Sequence, residues 1–136
     1  METKTKRFRK RDAILNCVKE TTVHPSADWV YARLKPDISD LSLGTVYRNL
    51  SLFKDQGLIV SLGTVKGVER FDGNTDPHVH FICNGCGCVL DLMQMELPTA
   101  LTQAAADLSG ANVQSCQLTF TGLCSECKNQ NLEEAI

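Results

Sequence analysis

The sequence predicts an α+β fold in two parts, an N-terminal winged helix-turn-helix domain followed by a small α/β domain. Three observations carry that expectation. Apolar residues recur at helical spacing in three short segments and then at strand spacing, the charge changes sign between the halves, and four cysteines form two Cys-x-x-Cys pairs in the second half.

The 136 residues are 43% apolar and 22% charged, ordinary values for a folded globular chain. No apolar run approaches the roughly 20 residues that span a bilayer. The basic start METKTKRFRKRDAIL has no apolar stretch behind it, so neither a membrane partner nor a secretory leader is expected. A soluble, cytoplasmic protein is the expectation. Residues 1–70 carry 13 Lys/Arg and 8 Asp/Glu, a balance of +5, whereas residues 71–136 carry 1 and 8, a balance of −7. Polyanions suit the first part and cations the second.

The elements follow in order. Residues 8–20 place Ala13, Ile14, Cys17 and Val18 at helical spacing, and His24-Pro25 ends that helix. Ser26 is the N-cap of a second helix bearing Trp29, Val30, Ala32 and Leu34, which Pro36 stops. Ser42 caps a third helix reaching Gln56, with Leu43, Val46, Leu50 and Phe53 on one face and Thr45, Tyr47, Arg48 and Asn49 on the other. Gly57 ends it. Leu58–Leu62 and Val68–Phe71, separated by Gly63 and Gly67, read as a β-hairpin. Three helices and a hairpin, basic overall, make a winged helix-turn-helix over residues 1–71. Gly73-Asn74 and Pro77 mark a hinge at 72–77. Residues 78–136 then read as strands near 78–83 and 88–92, a helix near 97–109 capped by Gly110, and a strand near 112–120.

Chemistry concentrates in that second domain. Two residues between cysteines let a tight turn put both thiolates on one metal, so Cys83, Cys86, Cys124 and Cys127 form a tetrahedral Zn²⁺ set. The pairs lie 37 residues apart, so the site staples the end of the domain to its beginning. Unpaired thiols or a redox disulfide are the rival readings. Cys88 and Cys116 read as buried filler, with a redox thiol at either as the alternative. His78 and His80 sit two apart on a strand and can reach one ion, with Asp72 and Asp76 upstream and Asp91 closing the next strand. Nitrogen and oxygen donors suit Fe²⁺ or Mn²⁺ better than a thiolate cage does, so two distinct metal sites are expected.

The segments His24-Pro25-Ser26-Ala27-Asp28, Ser42-Leu43-Gly44-Thr45-Val46-Tyr47-Arg48-Asn49-Leu50, Arg70-Phe71-Asp72, His78-Val79-His80-Phe81-Ile82-Cys83-x-x-Cys86-Gly87 and Cys124-x-x-Cys127 together resemble the ferric uptake regulator family of metal-dependent bacterial repressors. The resemblance implies a homodimer of winged-helix DNA-binding domains on a C-terminal dimerisation core. It implies structural zinc on the four cysteines and a regulatory Fe²⁺ or Mn²⁺ on His24, Asp72, His78, His80 and Asp91. The partner implied is an inverted-repeat operator in double-stranded DNA, with Tyr47, Arg48, Thr45 and Asn49 facing the major groove and Lys6 and Arg7 adding phosphate or minor-groove contacts.

Within the family, Asp rather than Glu at 91 and Asp at 72, six residues before His78, resemble the peroxide-sensing branch. Val79 and Leu123 stand where iron-responsive members often carry ligands of a further site. The expected function is therefore repression relieved by Fe²⁺-catalysed oxidation of His24 or His78, with an iron-responsive repressor of uptake genes as the alternative. A metalloenzyme is the distant one: no spare histidine is left to act as general acid or base, and the basic helix-turn-helix would be unexplained.

Overall fold

The computed structural model describes the backbone of residues 6–134 and the side chains of 9–130. The side chains of Lys6 and Arg7 lie outside that range. The chain forms two compact units, the first ending at Thr75 and the second beginning at Asp76.

In the first unit α1 (Lys6–Glu20), α2 (Ala27–Leu34) and α3 (Leu43–Asp55) precede a hairpin of β1 (Val60–Val65) and β2 (Val68–Asp72). Ser26 Oγ accepts the Trp29 amide at 3.1 Å and Ser42 Oγ accepts the Thr45 amide at 3.1 Å, so both expected N-caps work as hydroxyl acceptors for amides that the first turn leaves over. Ile14, Val18, Val30, Leu41, Val46, Leu50, Phe53, Ile59 and Phe71 close into one buried core. Each such side chain contributes roughly 1.5–3 kcal/mol through removal from water.

The strand expected at Leu58–Leu62 begins later. Gly57 is left-handed at φ 75°, its amide bonds to the Lys54 carbonyl at 3.1 Å, and the Leu58 amide bonds to the Phe53 carbonyl at 2.9 Å. That pair of bonds is a Schellman cap, and it takes Leu58 into the end of α3. Ile59 fills the core, and the ladder starts at Val60, opposite Asp72.

In the second unit β3 (Val79–Cys83) lies between β4 (Val89–Leu92), antiparallel to it, and β5 (Leu118–Gly122), parallel to it. α4 (Thr99–Ser109) ends on Gly110 at φ 69°, the left-handed cap expected there, whereas its N-cap is Pro98 with no side-chain bond. The strand expected at 112–120 is displaced to Leu118–Gly122, because its five residues pair with the five of β3, from Val79↔Leu118 to Cys83↔Gly122. A further helix, α5 (Ser125–Glu134), was not expected: SECKNQNLEE has no apolar stripe to mark it. Among the described residues, the buried apolar side chains of this unit are Val79, Cys83 and Val89. So small a core needs a staple.

Gly73 marks where β2 leaves the hairpin. A Cβ there would lie 2.6 Å from the Lys19 Cα and 2.8 Å from the Val18 carbonyl oxygen, both backbone atoms of α1. Gly73→Ala should therefore destabilise the first unit by about 1–3 kcal/mol. Urea unfolding followed by the fluorescence of Trp29, the chain's one tryptophan, measures it, and an unchanged midpoint would refute so close an approach.

Candidate metal centres and nucleic-acid face

Cys83 ends β3, Cys86 follows in the turn, and Cys124 and Cys127 bracket the start of α5. Their sulfurs all lie within 4.8 Å of one another, with Cys86 and Cys124 at 3.8 Å. The turn is closed by the Gly87 amide on the Cys83 carbonyl at 3.0 Å and the Cys83 amide on the Cys88 carbonyl at 2.9 Å. The amides of Gly85, Cys86 and Cys124 point at Cys83 Sγ at 3.3, 3.4 and 3.3 Å. These bonds, the Cys124 amide first, bring the Cys83 thiol down to about 5, because amide donors favour the thiolate. The Cys127 amide likewise lowers Cys124. Cys127 is pushed up to about 12, chiefly by its hydrogen bond to Cys124. A Cβ on Gly85 would sit 2.8 Å from Cys127 Sγ, so the glycine makes room for the sulfur cluster. Four sulfur donors, one of them favoured as thiolate by backbone amides, match the donor set of a structural zinc.

Burial pushes the neighbouring Cys88 thiol up to about 12, which holds it protonated and poorly nucleophilic. Burial also raises Cys17, and both Cys17 and Cys116 are half-buried.

In the first unit His24 occupies the α1–α2 connection with φ 56°, a conformation few residues other than glycine adopt. It is buried, with Nε2 3.5 Å from Asp72 Oδ2. Asp72 Oδ1 accepts the Asn74 amide at 2.9 Å, leaving Oδ2 toward the ring.

In the second unit His80 and Asp91 are register partners across β3 and β4, so both side chains share one face. His80 Nε2 lies 3.2 Å and His78 Nε2 3.0 Å from the same oxygen, Asp91 Oδ1, and the two rings sit 4.2 Å apart between centroids. His78 Nδ1 is 2.6 Å from the Asp76 carbonyl. A carbonyl only accepts, so Nδ1 carries the hydrogen and Nε2 of the neutral ring presents a lone pair to a carboxylate. Two acceptors at that distance need positive charge, from a ring proton or a divalent cation. The orienting carbonyl is the usual support of a metal-ligating imidazole. Each unit thus holds buried histidine beside a carboxylate, a group that fits Fe²⁺ or Mn²⁺ by donor type. The part of the Asp76 carbonyl was invisible in the sequence, because any residue type supplies one.

The face of α3 exposes Tyr47 and Arg48, while Thr45 and Asn49 are half-buried. Thr45 Oγ1 accepts from Arg48 Nη2 at 3.1 Å, and Asn49 Nδ2 donates to the Thr45 carbonyl at 2.8 Å. Both side chains are therefore steadied by Thr45. Lys10 and Arg11 of α1 join Thr45, Arg48, Asn49 and Gln56 in lining a groove of about 620 Å³. Basic and amide groups around one groove are suited to phosphate and base edges.

Residues 2–121 match the model of the ferric uptake regulator family. The chain is similar to the peroxide-responsive repressor PerR of Staphylococcus aureus (strain USA300), 34% identical over 120 residues, which cover 88% of this chain and 80% of the relative. Among solved structures it is similar to the Campylobacter jejuni peroxide stress regulator, at a TM-score of 0.78 and 25% identity over 90% of this chain and 91% of that one. The ferric uptake regulator of Francisella tularensis with iron has a TM-score of 0.72 and 25% identity, over 93% and 95% of the two chains.

If the sulfur centre is a zinc staple, Cys124→Ser should abolish zinc binding and lower the melting temperature of the second unit, since zinc binding free energy is folding free energy of order 10 kcal/mol. Zinc uptake by the stripped protein at neutral pH should release protons, Cys127 contributing because its thiol sits near 12, and affinity should fall as pH falls. Retention of full zinc by the variant, or uptake without proton release, would contradict the four-thiolate assignment.

Proposed function

The chain belongs to the ferric uptake regulator family, and from that premise we propose that it is a metal-dependent, DNA-binding transcriptional repressor that senses peroxide. The observation that carries the reading is the convergence of His78 Nε2 and His80 Nε2 on one oxygen of Asp91. The buried pair His24 and Asp72 of the other unit complements it. His24, Asp72, His78, His80 and Asp91 are the regulatory ligands, and Cys83, Cys86, Cys124 and Cys127 hold structural Zn²⁺. Carboxylates at both 72 and 91, and the likeness to peroxide-responsive repressors, favour peroxide over iron as the signal.

The division of ligands between units explains a switch. A donor set split in this way is complete in one arrangement of the two units, so metal binding draws the population toward it. A shift from 1:99 to 99:1 takes about 5.5 kcal/mol of differential binding, within reach of several ligand bonds. Fe²⁺ held by these residues would activate hydrogen peroxide toward a neighbouring imidazole, whereas Mn²⁺ would occupy the same ligands without that chemistry. The imidazole of His24 or His78 would gain one oxygen atom from the peroxide, with water as the other product; the oxidised ring would cease to be a ligand and the bias toward the DNA-binding arrangement would be lost.

Two copies of the unit that carries α3 call for a two-fold operator, an inverted repeat. In support of a homodimer, α4 buries none of its residues, and Leu101 and Leu108 are 50% and 90% exposed. Tyr47 meets base edges and Arg48 a phosphate or guanine edge, with Thr45 and Asn49 shaping the same face and Lys6 and Arg7 adding charge.

Mild peroxide should inactivate the Fe²⁺ protein and spare the Mn²⁺ protein, with mass spectrometry placing +16 Da on the peptide of His24 or His78. Equal sensitivity of both forms, or inactivation traced to cysteine oxidation alone, would leave the iron-responsive repressor as the better reading. On an inverted repeat selected from random duplexes, Arg48→Ala should weaken binding by about 1–3 kcal/mol at fixed salt. An effect below that range would move the reading surface elsewhere.

A further inference from the structure

Three successive residues of β2 reach back to the connection that carries His24. Arg70 Nε donates to the His24 carbonyl and Arg70 Nη2 to the Val23 carbonyl at 2.7 Å. The Phe71 amide donates to the Pro25 carbonyl at 2.9 Å, and Asp72 Oδ2 lies 3.5 Å from His24 Nε2. The guanidinium therefore grips two consecutive carbonyls at the point where His24 takes its left-handed φ of 56°. A histidine held in that region needs surrounding bonds to keep it there, and a planar fork spans two acceptors where an ammonium offers a point charge. Arg70 itself offers no donor atom to a cation.

We propose that Arg70 is the positioning residue of the regulatory centre: by clamping the Val23 and His24 carbonyls it fixes the backbone from which the His24 imidazole is presented beside Asp72. The inference rests on the reading of His24 as a regulatory ligand. It adds a residue whose work is done through His24, and it ties that ligand to the wing. Because β2 pairs with β1 through Val60↔Asp72 and Ser61↔Phe71, the strand that grips the ligand loop is the strand that carries the wing.

The test uses the full-length, zinc-loaded protein and Mn²⁺ as probe, titrated by electron paramagnetic resonance. Arg70→Met should weaken Mn²⁺ binding 10- to 100-fold, the usual range for an outer-shell partner, and Arg70→Lys should lie between it and the parent. In the His24→Ala background, Arg70→Met should change affinity by no more than about twofold, because the residue it serves is gone. Hydrogen exchange in the metal-free protein should quicken at the amides of residues 22–24 and stay unchanged in α3. Arg70→Lys, which keeps the charge, guards against loss of fold in Arg70→Met. Unchanged exchange at residues 22–24 would overturn the clamp. Equal losses with and without His24 would overturn it as well, by showing that Arg70 acts elsewhere. If His24→Ala itself binds Mn²⁺ like the parent, the ligand assignment fails and the positioning role falls with it.

Discussion

The hydrogen-bond ladder of β3 fixes donors at both of its ends. Its register with β4 sets His80 opposite Asp91, and its register with β5 sets Cys83 opposite Gly122. The first pairing brings an imidazole and a carboxylate to one face. The second carries the chain after Gly122 to the point where the Cys124 amide meets Cys83 Sγ at 3.3 Å. A slip of one residue would turn His80 to the other face and move Cys83 away from Cys124. Both centres of the second unit therefore depend on one register of five residues.

The two units solve the problem of stability differently. The first closes a helical core around Phe53, Ile14, Leu41 and Leu50, and its wing strand is pressed so close to α1 that Gly73 has no room for a side chain. Among the described residues the second has Val79, Cys83 and Val89 inside, and zinc on the sulfur cluster would take the place of a larger core. That division suits a regulator. Zinc on four thiolates would stay bound, while nitrogen and oxygen donors, of a type that binds Fe²⁺ or Mn²⁺ less tightly than thiolates hold zinc, would answer to changing metal.

Much of this was legible in the sequence because the signals were local. The Ser26 and Ser42 caps, the Gly57 and Gly110 stops and the Cys-x-x-Cys spacing each act within a few residues, and each appears where the pattern placed it. What escaped was set at a distance. β5 lies at 118–122 rather than 112–120 because β3 dictates its register, and α5 has no apolar stripe to betray it. The supports of the site were hidden for the same reason: the Asp76 carbonyl under His78, the glycine at 85 beside Cys127 Sγ, and the Arg70 fork on the His24 loop are long-range or backbone features.

We propose that one regulatory cation takes ligands from His24 as well as from His78, His80 and Asp91. Anomalous X-ray diffraction at the manganese edge, on crystals of the Mn²⁺-loaded, zinc-containing protein, tests it most directly. The expected result is one manganese peak at bonding distance from His24 and from His78, His80 and Asp91, with zinc alone on the four cysteines. Manganese bound within a single unit, or seated on the sulfur centre, would contradict it.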